Sequence, residues 1–483
     1  MKRKFLLNIV FLLTVSILVK AFWVLGIDRT VQNTVGEAAY GSYFSLFGFS
    51  VLFTLLLDMG LSGFNNRAVS ADPTRVKLYF GNVLLLRLLL TVAYFAVTLT
   101  VAFAVGYSGR QLSLLVVLMV NQVMASMILW LRSNISGMQY LFLDSLLSVA
   151  DRLVMIIICS VLLWGGVTDG PFRIEWFVWA QSAAYFTVMC VALMTVIRRG
   201  GVSGVRPDTG VLKSIIVAGL PYAVVVFAMT VCWRIDSVLI ERLLPDGALQ
   251  AGVYAQAFRL FDAFAMIPVM FGGLLLPIMS KELAAGSNIK PLASMAGRML
   301  LVPVGVVAVT LASCSGEVLD LLYATPAGGA VTAFALLMMT LIPVGLIYIY
   351  TTMLTAAGRM KRLGIITLAG MVINIVLNLI LIPRYQAPGA AWAALCAQSL
   401  VALASLLVVE RNLLSRQSVK LVSLFALMLL LTFAAGRLAV LAGMPWMVAA
   451  GVQIAAGMAF ALSFRLIQPV KSLKLIIAGT ESV

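Results

Sequence analysis

The sequence predicts an all-α, polytopic membrane protein: about fourteen spanning helices, arranged as two six-helix lobes plus a C-terminal helix pair, with both termini cytoplasmic. Three observations carry that prediction. Of 483 residues, 62% are hydrophobic and only 11% are charged, whereas soluble domains carry about a quarter charged residues. The apolar residues gather into runs of about 20, the length that crosses a bilayer's hydrocarbon core as a helix. Finally, the Lys and Arg residues concentrate in every second connection between those runs.

In order, the runs cover roughly 5–27, 40–60, 79–106, 111–131, 146–167, 176–197, 212–235, 251–277, 291–312, 329–350, 363–382, 389–409, 419–440 and 446–464. The first follows Lys2, Arg3 and Lys4. It is too long for a signal peptide and has no small-residue cleavage site, so it reads as the first membrane helix. Pro221, Pro268, Pro303 and Pro343 fall inside the seventh to tenth runs, where proline is tolerated and bends a helix. The connections are short and no soluble domain is inserted.

Of the 34 basic residues, about 24 lie at the chain ends and in alternate connections, and about 6 (Arg29, Arg110, Arg173, Arg242, Arg384 and Arg437) lie in the others. A missed helix would invert this alternation downstream, and it never inverts. Such dispersed charge orients a chain in a membrane, so the net charge of +16 is no nucleic-acid signal. There is no His, and the five cysteines stand apart. That spacing offers neither a zinc site nor a disulfide framework, so no cofactor or metal is expected.

The chain also resembles itself. Ile27-Asp28, Gly36-Glu37-Ala38, Tyr43 and Phe47 find counterparts in Ile235-Asp236, Asp246-Gly247-Ala248, Tyr254 and Phe258. An Asp ends an odd-numbered helix, and a Tyr-x3-Phe face opens the next. The expected layout is an N-lobe at 1–197, a cytoplasmic linker at 198–212, a C-lobe at 213–410, and the last two helices with a cytoplasmic tail at 411–483. Internal duplication around a central site is the common plan of secondary transporters.

Four cations, Lys20, Arg87, Arg234 and Arg259, sit inside the apolar runs. Each costs about 2.5–3.5 kcal/mol at mid-membrane unless it faces a bundle interior or a wet cavity. A cation-lined cavity suits an anionic substrate, because guanidinium and ammonium groups replace the water that solvates a phosphate. Asp262 lies one turn beyond Arg259 and Asp236 two residues beyond Arg234, where they would temper the binding so that release remains feasible. Arg87 and Arg234 could instead snorkel to the interfaces. Asp58 and Asp151 read as interfacial acids at helix ends. Asn374 and Asn378, four apart on one helix face, join Asp236 as a candidate cation site or serve as interhelical hydrogen bonds.

Several stretches resemble a known family. Tyr40-Gly41-Ser42-Tyr43, Leu57-Asp58-Met59-Gly60-Leu61 and Asn65-Asn66-Arg67 are similar to the second helix of Wzx-type polysaccharide flippases. Ala218-Gly219-Leu220-Pro221 is similar to their seventh helix; Gly252-Val253-Tyr254-Ala255-Gln256-Ala257 and Pro277-Ile278-Met279-Ser280-Lys281 are similar to their eighth. The wider group is the multidrug/oligosaccharidyl-lipid/polysaccharide exporter superfamily. The resemblance implies two lobes around a cationic, V-shaped cavity that carries an undecaprenyl-diphosphate-linked oligosaccharide between leaflets. Related lipid II flippases hold sodium with an acid on helix seven, Asn and Asp on helix eleven and a hydroxyl on helix twelve. Here Asp236 and Asn374 match, but Asn378 replaces the second acid, and Ala390, Ala391 and Ala394 offer no hydroxyl.

The expected function is therefore transport rather than catalysis. The substrate is a polyprenyl-diphosphate-linked oligosaccharide for O-antigen, capsule or exopolysaccharide assembly. It would be flipped across the bacterial inner membrane, among membrane lipids and beside a polysaccharide polymerase as partner. A cation-coupled multidrug antiporter of the same superfamily is the alternative, but the intramembrane cations outnumber the acids. A membrane glycosyltransferase or polymerase would need a metal-binding acidic motif or a long catalytic loop, and the sequence has neither.

Overall fold

The computed structural model describes residues 18–72, 75–166, 170–200, 209–324, 326–409 and 416–466. Every regular element among them is helical, as expected where hydrocarbon forces each backbone N–H and C=O to find its partner within its own segment. Most of the first apolar run lies outside the described residues. Its end is a helix that passes through a π-helical stretch, Trp23–Asp28, into α1 (Arg29–Val35). Gly36, at φ 81°, makes the turn into α2 (Glu37–Leu52), in a backbone region that costs glycine nothing. The second run is completed by the short α3 (Leu55–Asp58). The connection that follows is not plain loop: α4 (Leu61–Ala71) is an amphipathic helix too polar to span.

The next helices match the apolar runs: α5 (Arg75–Ala104), α6 (Gly109–Gly137), α7 (Leu141–Trp164), α8 (Ile174–Gly200), α9 (Thr209–Leu243), α10 (Gly247–Ala284) and α11 (Lys290–Ser313). A short α12 (Ser315–Leu322) precedes α13 (Gly328–Ala356). The 50-residue α14 (Met360–Val409) holds two runs; it breaks at Gln386 (φ 56°, ψ −134°), between Pro383 and Pro388. The chain continues as α15 (Arg416–Leu441) and α16 (Trp446–Ser463). Pro268, Pro303 and Pro343 stay inside their helices. Among the described residues, eleven helices are long and apolar enough to cross a membrane, so the protein is a multi-pass membrane protein.

Packing divides the chain into two compact units, Met1–Ala255 and Gln256–Val483. In the first, α9 and the opening turns of α10 pack with the N-terminal helices. A core in it gathers Leu61, Val76, Phe80, Leu131 and Ile135 around Trp130, whose ring stacks on Phe80 at 4.8 Å. In the second unit, α11 joins the C-terminal pair through Val302, Val306, Met428 and Ala461.

Candidate functional site

Both aspartates of the repeat are buried, each 1% exposed, and each is answered by a tyrosine of the following helix. The Tyr40 hydroxyl, from the first turn of α2, lies 2.8 and 2.9 Å from the two Asp28 carboxylate oxygens. Tyr254 of α10 donates to Asp236 Oδ2 at 2.9 Å. A carboxylate taken out of water needs such donors. Tyr254 also feels the charge of Arg234, so the structure brings Arg234, Asp236 and Tyr254 together.

Between these pairs, α2 and α10 cross at glycines. A β-carbon on Gly41 would sit 1.9 Å from the Ala248 carbonyl oxygen, and one on Gly252 would sit 2.1 Å from the Glu37 carbonyl oxygen. The two contacts are the same contact. Gly41 and Gly252 each stand two residues before the repeat's tyrosine (Tyr43 or Tyr254), and Glu37 and Ala248 each stand four residues before the glycine. The repeated segments therefore meet in a reciprocal, two-fold fashion, backbone against backbone, as small residues allow in membranes. Gln32 Nε2 adds a bond to the Gly252 carbonyl at 3.1 Å.

The face of α2 that carries Gly41 continues through Ser45 to Gly48, and both of these meet α9. A β-carbon on Gly48 would lie 2.6 Å from Ser237 Oγ. Ser45 donates to Glu241 Oε2 at 2.6 Å. The same buried carboxylate accepts from Tyr107 at 3.0 Å and from Gln111 at 2.9 Å. Arg242 donates to Gln111 at 3.1 Å and stacks on Tyr107, 3.5 Å from the ring centroid. Burial, and then the charge of Glu241, push the Tyr107 phenol well above its usual pKa, so it remains a donor. The seventh apolar run ends near residue 235, so by sequence Arg242 falls in a connection and its neighbour Glu241 does not stand out as a membrane acid; the cluster is visible only in the structure.

The predicted cations occupy different settings. Lys20 is half-buried on the helix leading to the π-helical stretch. Arg234 is half-buried on α9, its guanidinium carbon 5.7 Å from the Phe47 ring centroid. Arg87 is 1% exposed and engaged from α5 through both terminal guanidinium nitrogens: it pairs with Asp58, and it donates to Ser62 at 2.9 Å and to the Ser126 hydroxyl at 2.8 Å. It also donates to the Leu57 and Ser126 carbonyls at 3.3 and 3.1 Å. It thus ties α3, α4 and α6 together. Snorkelling is not its state here.

The structure adds a fifth cation. Arg152 lies eleven residues into α7, about 16 Å along its axis, with its guanidinium carbon 5.5 Å from the Trp23 ring centroid. By sequence it counts with the basic residues of a connection, although the fifth run, 146–167, includes it. The helix begins earlier, at Leu141, and Asp144 in its first turn is paired with Arg132 at 2.7 Å.

In the second unit, Arg259 and Asp262 are half-buried one turn apart on α10, and Tyr348 of α13 lies within electrostatic reach of Asp262. Asn374 and Asn378 are fully buried on α14. Asn378 donates to the Asn374 carbonyl at 2.9 Å, whereas the Asn374 amide has no hydrogen-bond partner among the described residues. Also among the described residues, no three or more Cys, Asp or Glu stand together as a metal-binding group.

Solved membrane transporters share this fold. The lipid II flippase MurJ in an inward closed conformation superposes with a TM-score of 0.68 at 12% identity, over 94% of this chain and 98% of that one. An inward-facing multidrug resistance MATE transporter gives 0.62 at 15% identity, over 80% and 93%. A superfamily transporter from Pyrococcus furiosus gives 0.54 at 16% identity, over 83% and 91%. These superpositions show a shared fold. No curated protein matches the sequence. Residues 5–282, more than half the chain, match the family described as polysaccharide biosynthesis protein, and the chain belongs to that family.

Proposed function

We propose that the protein is a flippase that carries an undecaprenyl-diphosphate-linked oligosaccharide from the cytoplasmic to the periplasmic leaflet of the bacterial inner membrane. The oligosaccharide is an O-antigen, capsule or exopolysaccharide repeat unit, delivered to a polysaccharide polymerase. One observation supports this above the rest: a chain of the polysaccharide biosynthesis family keeps Arg152, Arg234 and Arg259 within long apolar helices, with Lys20 on the helix that ends the first apolar run. A diphosphate crossing hydrocarbon needs such groups in place of water. Asp236 and Asp262 offset part of that charge, which keeps binding reversible. Arg87 reaches phosphate only after releasing Asp58, so its first role is to hold the fold. Asn374 and Asn378 keep the candidate coupling-cation role on their own helix, with the unpartnered Asn374 amide in its favour.

In this reading the lobes 1–197 and 213–410 rock against one another. The reciprocal crossing at Gly41 and Gly252 holds them together at the end poor in basic residues, which is the periplasmic end by charge bias. The Glu241 cluster reinforces it. Opening to that side parts α2 from α9 and α10.

The test is export. Lys20→Ala, Arg234→Ala and Arg259→Ala proteins should reach the membrane at normal levels. Each should lower polymer export by roughly tenfold or more, the loss expected from one charge-assisted phosphate contact, while lipid-linked repeat units accumulate unflipped. Full export by these variants would overturn the assignment. Failure of polymer synthesis from substrate already on the periplasmic side would place the protein at the polymerase step instead.

A further inference from the structure

A cavity of about 270 Å³ opens between α7 and α8, away from the residues assigned to transport. It is lined by Leu143 of α7 and by Val191, Met194, Thr195, Arg198 and Arg199 of α8. Residues 191, 194, 195 and 198 follow the spacing of one helix face, so the wall runs from apolar to cationic over about 10 Å. Val191 and Met194 are half-exposed (48% and 52%), and Arg198 and Arg199 stand at the basic end of α8. That end belongs to the positive-rich side of the chain, the side of the aqueous interface.

The cations at the mouth have little to neutralise them on the neighbouring helices. Asp144 of α7 is committed to Arg132 at 2.7 Å. Arg199 is steered by the Tyr140 ring, 4.4 Å from its centroid, which fixes the guanidinium without consuming its charge. The Thr195 hydroxyl donates to the Val191 carbonyl at 2.8 Å, so the donors facing outward are the two guanidinium groups.

An apolar trough that ends in two cations at the membrane surface complements an amphiphile with an anionic head. We propose that this cavity binds one anionic glycerophospholipid: its phosphate rests on Arg198 and Arg199, and an acyl chain lies along Met194, Val191 and Leu143. Charge decides the occupant, since a zwitterionic lipid would bring its own cation to the same place.

Native mass spectrometry of the whole protein, titrated with phosphatidylglycerol or phosphatidylcholine, reads this directly. One phosphatidylglycerol should survive activation that strips phosphatidylcholine. Its affinity should fall on the order of tenfold in Arg198→Gln/Arg199→Gln, a loss consistent with charge-assisted bonds, and stay unchanged in the charge-matched Arg359→Gln/Arg362→Gln. Met194→Trp, which fills the trough and keeps both arginines, should also lose the lipid. Four results would overturn the proposal: no preference for phosphatidylglycerol; equal loss in the Arg359/Arg362 control; retention by Met194→Trp; or one-for-one displacement by undecaprenyl phosphate, which would give the cavity to the transported lipid.

Discussion

In the first copy of the repeat, Asp28 ends a π-helical stretch and a single residue, Gly36, turns the chain; in the second, Asp236 sits in a regular α-helix and residues 244–246 make the turn. The tyrosine that answers the aspartate differs as well. Tyr254 occupies the place of Tyr43, yet Asp28 is bonded by Tyr40, one turn earlier. What the copies share is the crossing itself, where Gly41 and Gly252 meet each other's helix in equivalent ways. The lesson is physical. A backbone-to-backbone contact tolerates no substitution, since a β-carbon has nowhere to go. A carboxylate needs only some donor within reach, and a neighbouring turn can supply it.

The largest expected effect follows from that contrast. Gly41→Ala and Gly252→Ala each place a methyl group within 2.1 Å of a carbonyl oxygen in the other copy. Such overpacking costs about 1–3 kcal/mol, enough to shift a two-state equilibrium by roughly tenfold to a hundredfold. A cysteine at the fully buried Ala251 reports the shift. Its labelling by a membrane-impermeant maleimide should be slow in the parent protein and at least tenfold faster in either glycine variant. The two variants should behave alike. If only one accelerates labelling, the reciprocity is a relic of duplication without a share in opening.

The carboxylate–phenol pairs should separate the copies rather than unite them. Tyr40→Phe removes a donor facing both oxygens of Asp28, whereas Tyr254→Phe removes one from a single oxygen of Asp236. Losing a donor to a buried group costs about 1–3 kcal/mol. Thermal unfolding in detergent should show both variants destabilised, Tyr40→Phe the more. The reverse order would mean that the number of carboxylate oxygens a phenol faces does not set its contribution.

How much of this the sequence carried depends on what each feature is made of. The spans were legible because hydropathy is additive along a chain, and even the second helix pair inside α14 was separable by sequence. The repeat was legible at Asp28 and Asp236 because rare acids stand out in apolar runs. The glycine crossing was not: Gly41 and Gly252 are two of 38 glycines, and only their partners' carbonyls distinguish them. Arg87 was visible as a membrane cation, but its bond to Asp58 joins residues 29 apart, and no helical spacing encodes that. Arg152 was hidden by its place near the start of the fifth run, where a basic residue counts towards the connection before it.

The smallest effect belongs to an ion pair that stands outside the comparison and calibrates it. Arg110 bonds Glu175 through Nε at 2.7 Å, in a geometry as favourable as that of Arg87 with Asp58. The Arg110 side chain is 76% exposed, however, against 1% for Arg87. Water solvates Arg110 whether or not the pair forms, so such a bond contributes about 0–1 kcal/mol, and less in salt. Arg110→Gln should leave the unfolding temperature, Ala251→Cys labelling and export unchanged within error. Arg87→Gln should lower the unfolding temperature clearly, because it removes the charge that balances Asp58 and the bonds to two hydroxyls among helices that Arg87 joins. Equal effects from the two would show that water reaches Arg87 as freely as Arg110, and burial would then lose its standing as the measure of which cations this fold depends on.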